Sequence, residues 1–361
     1  MRTGADATDP RILGLFDHNG ILSRKRRLAG APRVPGPYRV DLLDELGYEL
    51  RTVLPAQGRG HRKVRDVIEH RSGLDIDMAV RAMPEAWRAD AVLAMFERRA
   101  QFVARLRRRG IAPYAGRPLW AVSCWWAEEL RGMNRQDSAR IARDIEGIDG
   151  LLVFSTNQQE IFAETGVPAH KIHSIDFGVD PEFYSPDPTA ARRFQVFSAG
   201  VDRGRDFESL IGAAELLPQT RFDIFTQPGR IARNLPANVT LHSPVDIVAH
   251  RDNLRAADLV VVPTHDLAYP TGQSVLLEAS GCGACVAVTS TKAMNQYFED
   301  GVTALAMPLH DPEGIARVIE RAQSDPALRE RVGANARRAV VEHFNFRRMW
   351  TEIGALITSA G

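Results

Sequence analysis

The sequence predicts an α/β protein made of two similar halves, each built on a parallel sheet, and three observations lead there. Short apolar runs alternate with longer helix-like stretches from end to end, the rhythm of βαβ units rather than of a bundle or sandwich. A proline-bearing stretch, GVDPEFYSPDPTAARR (178–193), interrupts this rhythm, which then restarts. With 361 residues, 44% of them hydrophobic, the chain exceeds the size at which a single core keeps growing.

In the first half the strand candidates are RILGLFD (11–17), YELRTVL (48–54), ADAVLAMF (89–96), PLWAVSC (118–124), GLLVFST (150–156) and KIHSIDF (171–177). Helix-like stretches between them cover 37–47, 96–110, 127–145 and 157–166. The segment 55–88 fits either a helix or a broken strand after a loop-like QGRGHRK. In the second half FQVFSAG (194–200), RFDIFT (221–226), NVTLHS (238–243), DLVVVP (258–263) and ACVAVTS (284–290) read as strands. Helices are expected over 206–217, 245–257, 273–281 and 312–323, then a long one after Pro326 and a last one, FRRMWTEIGALI, whose apolar face must dock.

Lys and Arg number 46 against 45 Asp and Glu, so the net charge of +1 gives no global reason to expect a polyanionic partner such as nucleic acid. The three cysteines, Cys124, Cys282 and Cys285, are too few for a disulfide framework, and MRTGADATDP lacks the apolar core of a leader peptide. A cytoplasmic, reducing setting is the expectation. No apolar run approaches the roughly 20 residues that cross a bilayer, which leaves attachment to a membrane surface open.

The most specific segment is THDLAYPTGQSVLLEASGCGACVAV (264–288). It orders a strand end, a Pro/Thr/Gly turn, a short helix bearing Glu278, a glycine break and another strand. At such a turn the N–H groups of Gly272, Gln273 and Ser274 are expected to be unpaired at a helix N-terminus, an anion site suited to a diphosphate. Glu278, further along, suits a carboxylate accepting from a ribose diol. The alternative is an ordinary strand-to-helix turn with its glutamate in solvent.

This segment resembles the donor-site motif of retaining, GT-B-fold glycosyltransferases of family 4, in which a glutamate, seven residues and a second glutamate precede AMACGxPVV. Glu278 matches the second glutamate and ASGCGACVAV keeps the pattern, but Pro270 stands where the first glutamate contacts the donor sugar. His265 or Asp266 is a candidate replacement for that contact, or a turn residue. GLLVFSTNQQEIFAETGVPAHKIHSIDFGVDPEFYSPD resembles the stretch that closes the family's first domain, matching at Ser155, Gly166, Pro168, Lys171, Ile175, Gly178, Val179, Asp180, Phe183 and Pro186. FSAGVDRGRDFESLIGAAELL resembles the opening of the second domain, where the family offers Arg and Lys to the diphosphate. Gly200 is present, Val201 replaces the usual Arg, and Arg203 and Arg205 are the available cations, each otherwise a solvated surface arginine.

The first hundred residues match the family only in layout. Asn19 and Gly20 sit where its first-strand glycine loop approaches the reaction centre, with Gly36 ahead of the next helix. WAVSCWWAEEL carries no histidine at the place where members often hold one for the sugar, and Trp125 and Trp126 are candidates for stacking or for packing. His18 and Glu97 also fall at strand ends, as ligand contacts or as hydrogen-bonded structural residues. CGAC (282–285) has redox or metal spacing but no second pair, so both cysteines read as small buried residues. The basic run 23–33 and the arginine-rich 97–109 offer an anionic membrane or acceptor a surface, or form a solvated face.

The resemblance implies a GT-B fold of two Rossmann-like, doubly wound domains facing a central cleft. Residues 1–190 with 344–361 would hold the acceptor and 191–343 the donor. It implies transfer of a hexose-type sugar from a nucleotide diphosphate sugar to a small-molecule or glycan acceptor, retaining, with no metal, no cofactor and no protein general base. Two alternatives are a non-catalytic nucleotide-sugar binder and an epimerase or phosphorylase of the same fold.

Overall fold

The structure, a computed structural model, describes residues 9–30, 34, 37–54 and 58–359. Among these residues lie two six-stranded sheets in which every pairing is parallel. The first contains β1 (Arg11–Leu15), β2 (Glu49–Thr52), β3 (Ala91–Met95), β4 (Leu119–Val122), β5 (Gly150–Val153) and β6 (Ile172–Ser174), in the order β2-β1-β3-β4-β5-β6. The second contains β7 (Phe194–Ala199), β8 (Phe222–Phe225), β9 (Val239–His242), β10 (Ala257–Val262), β11 (Val286–Thr289) and β12 (Leu305–Met307), in the order β12-β11-β10-β7-β8-β9.

Central strands such as β3, β4 and β5 are buried at every position, as expected where helices cover both faces of a parallel sheet. That continuous apolarity is what marks them in the sequence. The edge strands β2 and β9 instead mix buried with exposed residues. In each sheet the strand order reverses at one place, between β1 and β3 in the first and between β10 and β7 in the second. Loops leaving the C-terminal ends of those neighbours diverge and leave a crevice, the usual ligand position in such folds.

Four local features depart from or resolve the sequence reading. Residues 18–28 form a helix directly after β1, capped by Asp17, whose carboxylate accepts from the Gly20 N–H at 2.6 Å. The ambiguous 55–88 region holds two helices, Arg59–Ser72 and Ile76–Ala86. The stretch expected as one helix over 127–145 is two, Trp126–Gly132 and Arg135–Glu146, because Asn134 caps the second with bonds to the N–H groups of Gln136 and Asp137. β12 is only three residues long, too short for its apolar Leu305–Met307 to stand out as a strand.

Two compact units result, residues 1–175 with 349–361, and 176–348. The boundaries differ from those expected at 190 and 343 because 176–190 packs on the second unit. The Tyr297 hydroxyl accepts from the Phe177 N–H at 3.1 Å, and Nη1 of Arg337 donates to the carbonyls of Pro181 and Tyr184, each at 2.8 Å. In the first unit Trp350, on the helix Phe346–Ser359, is fully buried, lies edge-on to Phe16 and donates its indole N–H to the Tyr38 carbonyl at 2.6 Å.

Candidate functional site

At the switch point of the second sheet the chain leaves β7 through Gly200 and folds residues 202–206 back toward the end of β10, where Arg205 bridges Thr264. The Arg205 side chain is only 2% exposed and threads between two glycines. A Cβ at Gly200 would lie 2.0 Å from its Nε, and one at Gly272 would lie 2.1 Å from its Nη1. Gly272 also has a φ of +88°, a conformation costly for any other residue. Both glycines are therefore required by the arginine's path.

The buried guanidinium is incompletely matched. Its nearest carboxylate, Asp202, stands 3.3 Å from Nε without hydrogen-bond geometry, and Nε and Nη1 have no hydrogen-bond partner. Burial pushes the Arg205 pKa down from its ordinary value, against the opposing pull of Asp202, Tyr269 and Glu278. For Asp202 burial acts upward, but the Arg205 charge, the Thr271 hydroxyl at 2.6 Å and the Gly204 N–H at 2.8 Å outweigh it and hold the carboxyl below its usual range. A buried cation with free donors is costly until an anion meets them.

Beside it begins the helix Gln273–Gly281, preceded by Gly272 with no side-chain cap. Of the three N–H groups expected to be free, that of Gln273 is taken by the Pro270 carbonyl at 3.1 Å, while those of Gly272 and Ser274 have no protein acceptor among the described residues. The Gln273 side chain is buried and donates to the Tyr269 hydroxyl at 3.0 Å, so it braces the turn. Glu278 lies about 9 Å further along the helix axis. His250 Nε2 lies 3.0 Å from its Oε2, and the Tyr184 hydroxyl donates to it. Its side chain remains 19% exposed and keeps acceptor capacity. Neither orienting partner was marked by the sequence pattern.

Of the other expected donor contacts, Arg203 and Asp266 are exposed. His265 is half-buried, its backbone N–H bonded to the Gly204 carbonyl at 2.9 Å. The sequence reading missed the hydroxyls of Ser198, Thr226 and Thr264, buried and without partners at or just beyond the ends of β7, β8 and β10. Small hydroxyl residues at the C-terminal ends of apolar runs were the available signal. Next to them the His242 ring stacks on Phe225 at 4.3 Å. Cys282 and Cys285 are buried free thiols, pushed up by burial to about 12 and about 11, so neither is a nucleophile at neutral pH.

The first unit's candidates have structural partners. Glu97 Oε1 accepts from the Ser123 hydroxyl at 2.8 Å and from the N–H groups of Cys124, Trp125 and Trp126 at 2.6, 2.6 and 3.3 Å. It closes the β4 end and the start of the following helix, so it is an anchor rather than a reactive acid. Trp126 is core and Trp125 is half-buried. Asn19 is exposed and Gly20 is buried in the first turn of the 18–28 helix, not in a loop. The side chain of His18, and Gly36, fall outside the described residues. In the helix Glu97–Arg108, Arg105 makes a bidentate pair with Asp144 at 2.9 Å, and Arg99, Arg107 and Arg108 each pair with an acid. Among the described residues no helix is long and apolar enough to cross a membrane.

Solved structures place the architecture. Sucrose-phosphate synthase from Thermosynechococcus elongatus superimposes with a TM-score of 0.74 at 16% identity, covering 97% of this chain and 99% of that one. HepE of Anabaena, in complex with UDP-glucose, gives 0.72 at 16% identity over 97% and 99%. This chain has the GT-B fold. Within that fold, residues 203–355 match the family model described as glycosyl transferase-like. A D-inositol 3-phosphate glycosyltransferase of Streptosporangium roseum is 38% identical over 85 residues, 24% of this chain and 19% of the relative. One from Kribbella flavida is 27% identical over 231 residues, 55% and 53% of the two chains. The chain thus spans about half or less of the length of these curated relatives.

Proposed function

We propose that this chain is a glycosyltransferase that takes a sugar from a nucleotide diphosphate donor bound to residues 176–348. The observation that carries the reading is Arg205, a buried cation with two partnerless donor atoms beside an uncapped helix start. That pairing suits a diphosphate, which brings charge to the guanidinium and acceptors to the N–H groups of Gly272 and Ser274. Glu278, oriented by His250 and Tyr184, is in position to accept from the ribose diol. The stacked Phe225 and His242 offer a wall to the base. His265 and Asp266 lie on the segment that would meet the sugar.

In the transfer itself the bond between the anomeric carbon and the diphosphate oxygen breaks while an acceptor hydroxyl oxygen bonds to that carbon. The hydroxyl proton goes to the leaving diphosphate, on the same face, with retention. Arg205 and the helix N-terminus stabilise the departing charge, so no metal ion is needed at the diphosphate. Pro270 makes the sugar contact of the family's first glutamate impossible, which assigns sugar selection to other side chains. The HepE complex with UDP-glucose makes uridine diphosphate sugars the first donors to try, ahead of GDP-, ADP- and dTDP-sugars.

A thermal-shift panel of these donors tests the reading. One nucleotide class should raise the melting temperature of the wild type, since ligand at 100 times its Kd stabilises by about 2.7 kcal/mol. Glu278→Ala should lose most of that rise. Equal shifts in both proteins remove Glu278 from the site, and no shift with any donor removes the reading.

A further inference from the structure

Asp206, His265 and His310 bring one potential ligand atom each to within 4.8 Å of one another. They come from three segments of the second unit: the cap of the helix Phe207–Leu216, the chain just after β10, and the turn between β12 and the helix Pro312–Ser324. Asp206 and His265 are held by bonds from outside the trio, and His310 by its backbone and its contact with Asp206. Asp206 receives the Ser209 N–H on Oδ1 at 3.1 Å and the Ser209 hydroxyl on Oδ2 at 2.6 Å. His265 is fixed through its backbone N–H to Gly204. His310 holds a φ of +52°, an arrangement that costs a residue with a β-carbon about 1 kcal/mol and points its ring at Asp206.

The spacing suits a coordination sphere. His310 Nδ1 and Asp206 Oδ2 are 2.8 Å apart, a hydrogen-bond distance that an ion would open to the roughly 3.4 Å edge of a tetrahedral zinc sphere. The two imidazole rings lie 5.2 Å apart between centroids and are inclined at 39°, so they are not stacked face to face. His310 is half exposed, so an ion has a way in. Two imidazoles and one carboxylate form the donor set of open zinc sites, with further positions left to water.

We infer that Asp206, His265 and His310 bind a divalent cation of borderline softness, Zn2+ foremost. Binding replaces the His310 Nδ1–Asp206 hydrogen bond with two metal bonds, the neutral ring ligating through Nδ1 and carrying its single proton on Nε2. The Ser209 hydroxyl then serves as the outer partner that orients the ligating carboxylate. Because Asp206 directly follows Arg205, the ion would tie the arginine's segment to the loops after β10 and β12. The site stands whether or not the chain transfers sugars.

The test uses full-length, tag-free protein stripped with a chelator and dialysed against ZnCl2. The bound metal is counted by mass spectrometry, and the same titration with Co2+ is followed by visible absorption. One equivalent per chain is expected, with affinity weakened about tenfold or more in His265→Ala and in His310→Asn. Asparagine is chosen at 310 because it tolerates the left-handed backbone. His343→Ala, just past the end of the helix Pro326–Glu342, should bind as the wild type does. Absence of a stoichiometric metal, or a metal retained equally in His265→Ala and His310→Asn, overturns the site.

Discussion

The two sheets are built alike and end differently. Each is a six-stranded parallel sheet with one reversal of strand order, and each reversal opens a crevice onto nearby helix starts. In the first sheet Asp17 caps the helix after β1, Glu97 takes the donors around the helix after β4, and the helix after β3 has no side-chain cap and no buried cation beside it among the features described above. In the second sheet the helix after Gly272 has no cap, and the carboxylate nearest to Arg205 leaves two of its nitrogens without hydrogen bonds. A satisfied helix start is a stability element. One left unsatisfied beside a buried cation is a site waiting for an anion.

The sharpest way to break this contrast is Arg205→Met, which removes a buried, under-paired charge while keeping apolar bulk. The ligand-free protein should melt at the same temperature or higher, and the donor-induced stabilisation of about 2.7 kcal/mol at 100 times Kd should vanish. A mutant that keeps the donor shift would place the anion elsewhere. Glu97→Gln probes the opposite case. Weakening that charged acceptor should cost about 2 kcal/mol whether donor is present or not, and should speed exchange of the Cys124 to Trp126 amides by about 30-fold. Asp17→Ala should have the smallest effect, about 1 kcal/mol of cap energy, read as faster exchange at Gly20 and no change in donor affinity.

The central strands were legible because they are buried on both faces and so appear as unbroken apolar runs. β12 escaped, being three residues long, and so did the helix at 18–28. Its opening His-Asn-Gly reads as a turn, and only the bond from Asp17 to Gly20 reveals a cap. The helix Arg59–Ser72 contains no buried residue, so no core-facing stripe announced it. In the site, Gly272 and Glu278 were visible as a local motif. What was not visible is why Arg205 differs from Arg203: its burial depends on Gly200 and Gly272, which are distant in sequence and meet only in the fold. His250, Tyr184 and His310 were missed for the same reason, since each acts through a partner on another element.

The second unit has one entrance and one exit, and they are neighbours. Val179 receives the Phe346 N–H on its carbonyl and donates its own N–H to Phe344, so the two crossings run side by side as a parallel bridge. Residues 176–348 are therefore an insert stitched shut at its own mouth, with both termini of the protein left to the other unit. Such a module can be lifted out as a single stretch of gene and carried into another host chain without cutting a sheet.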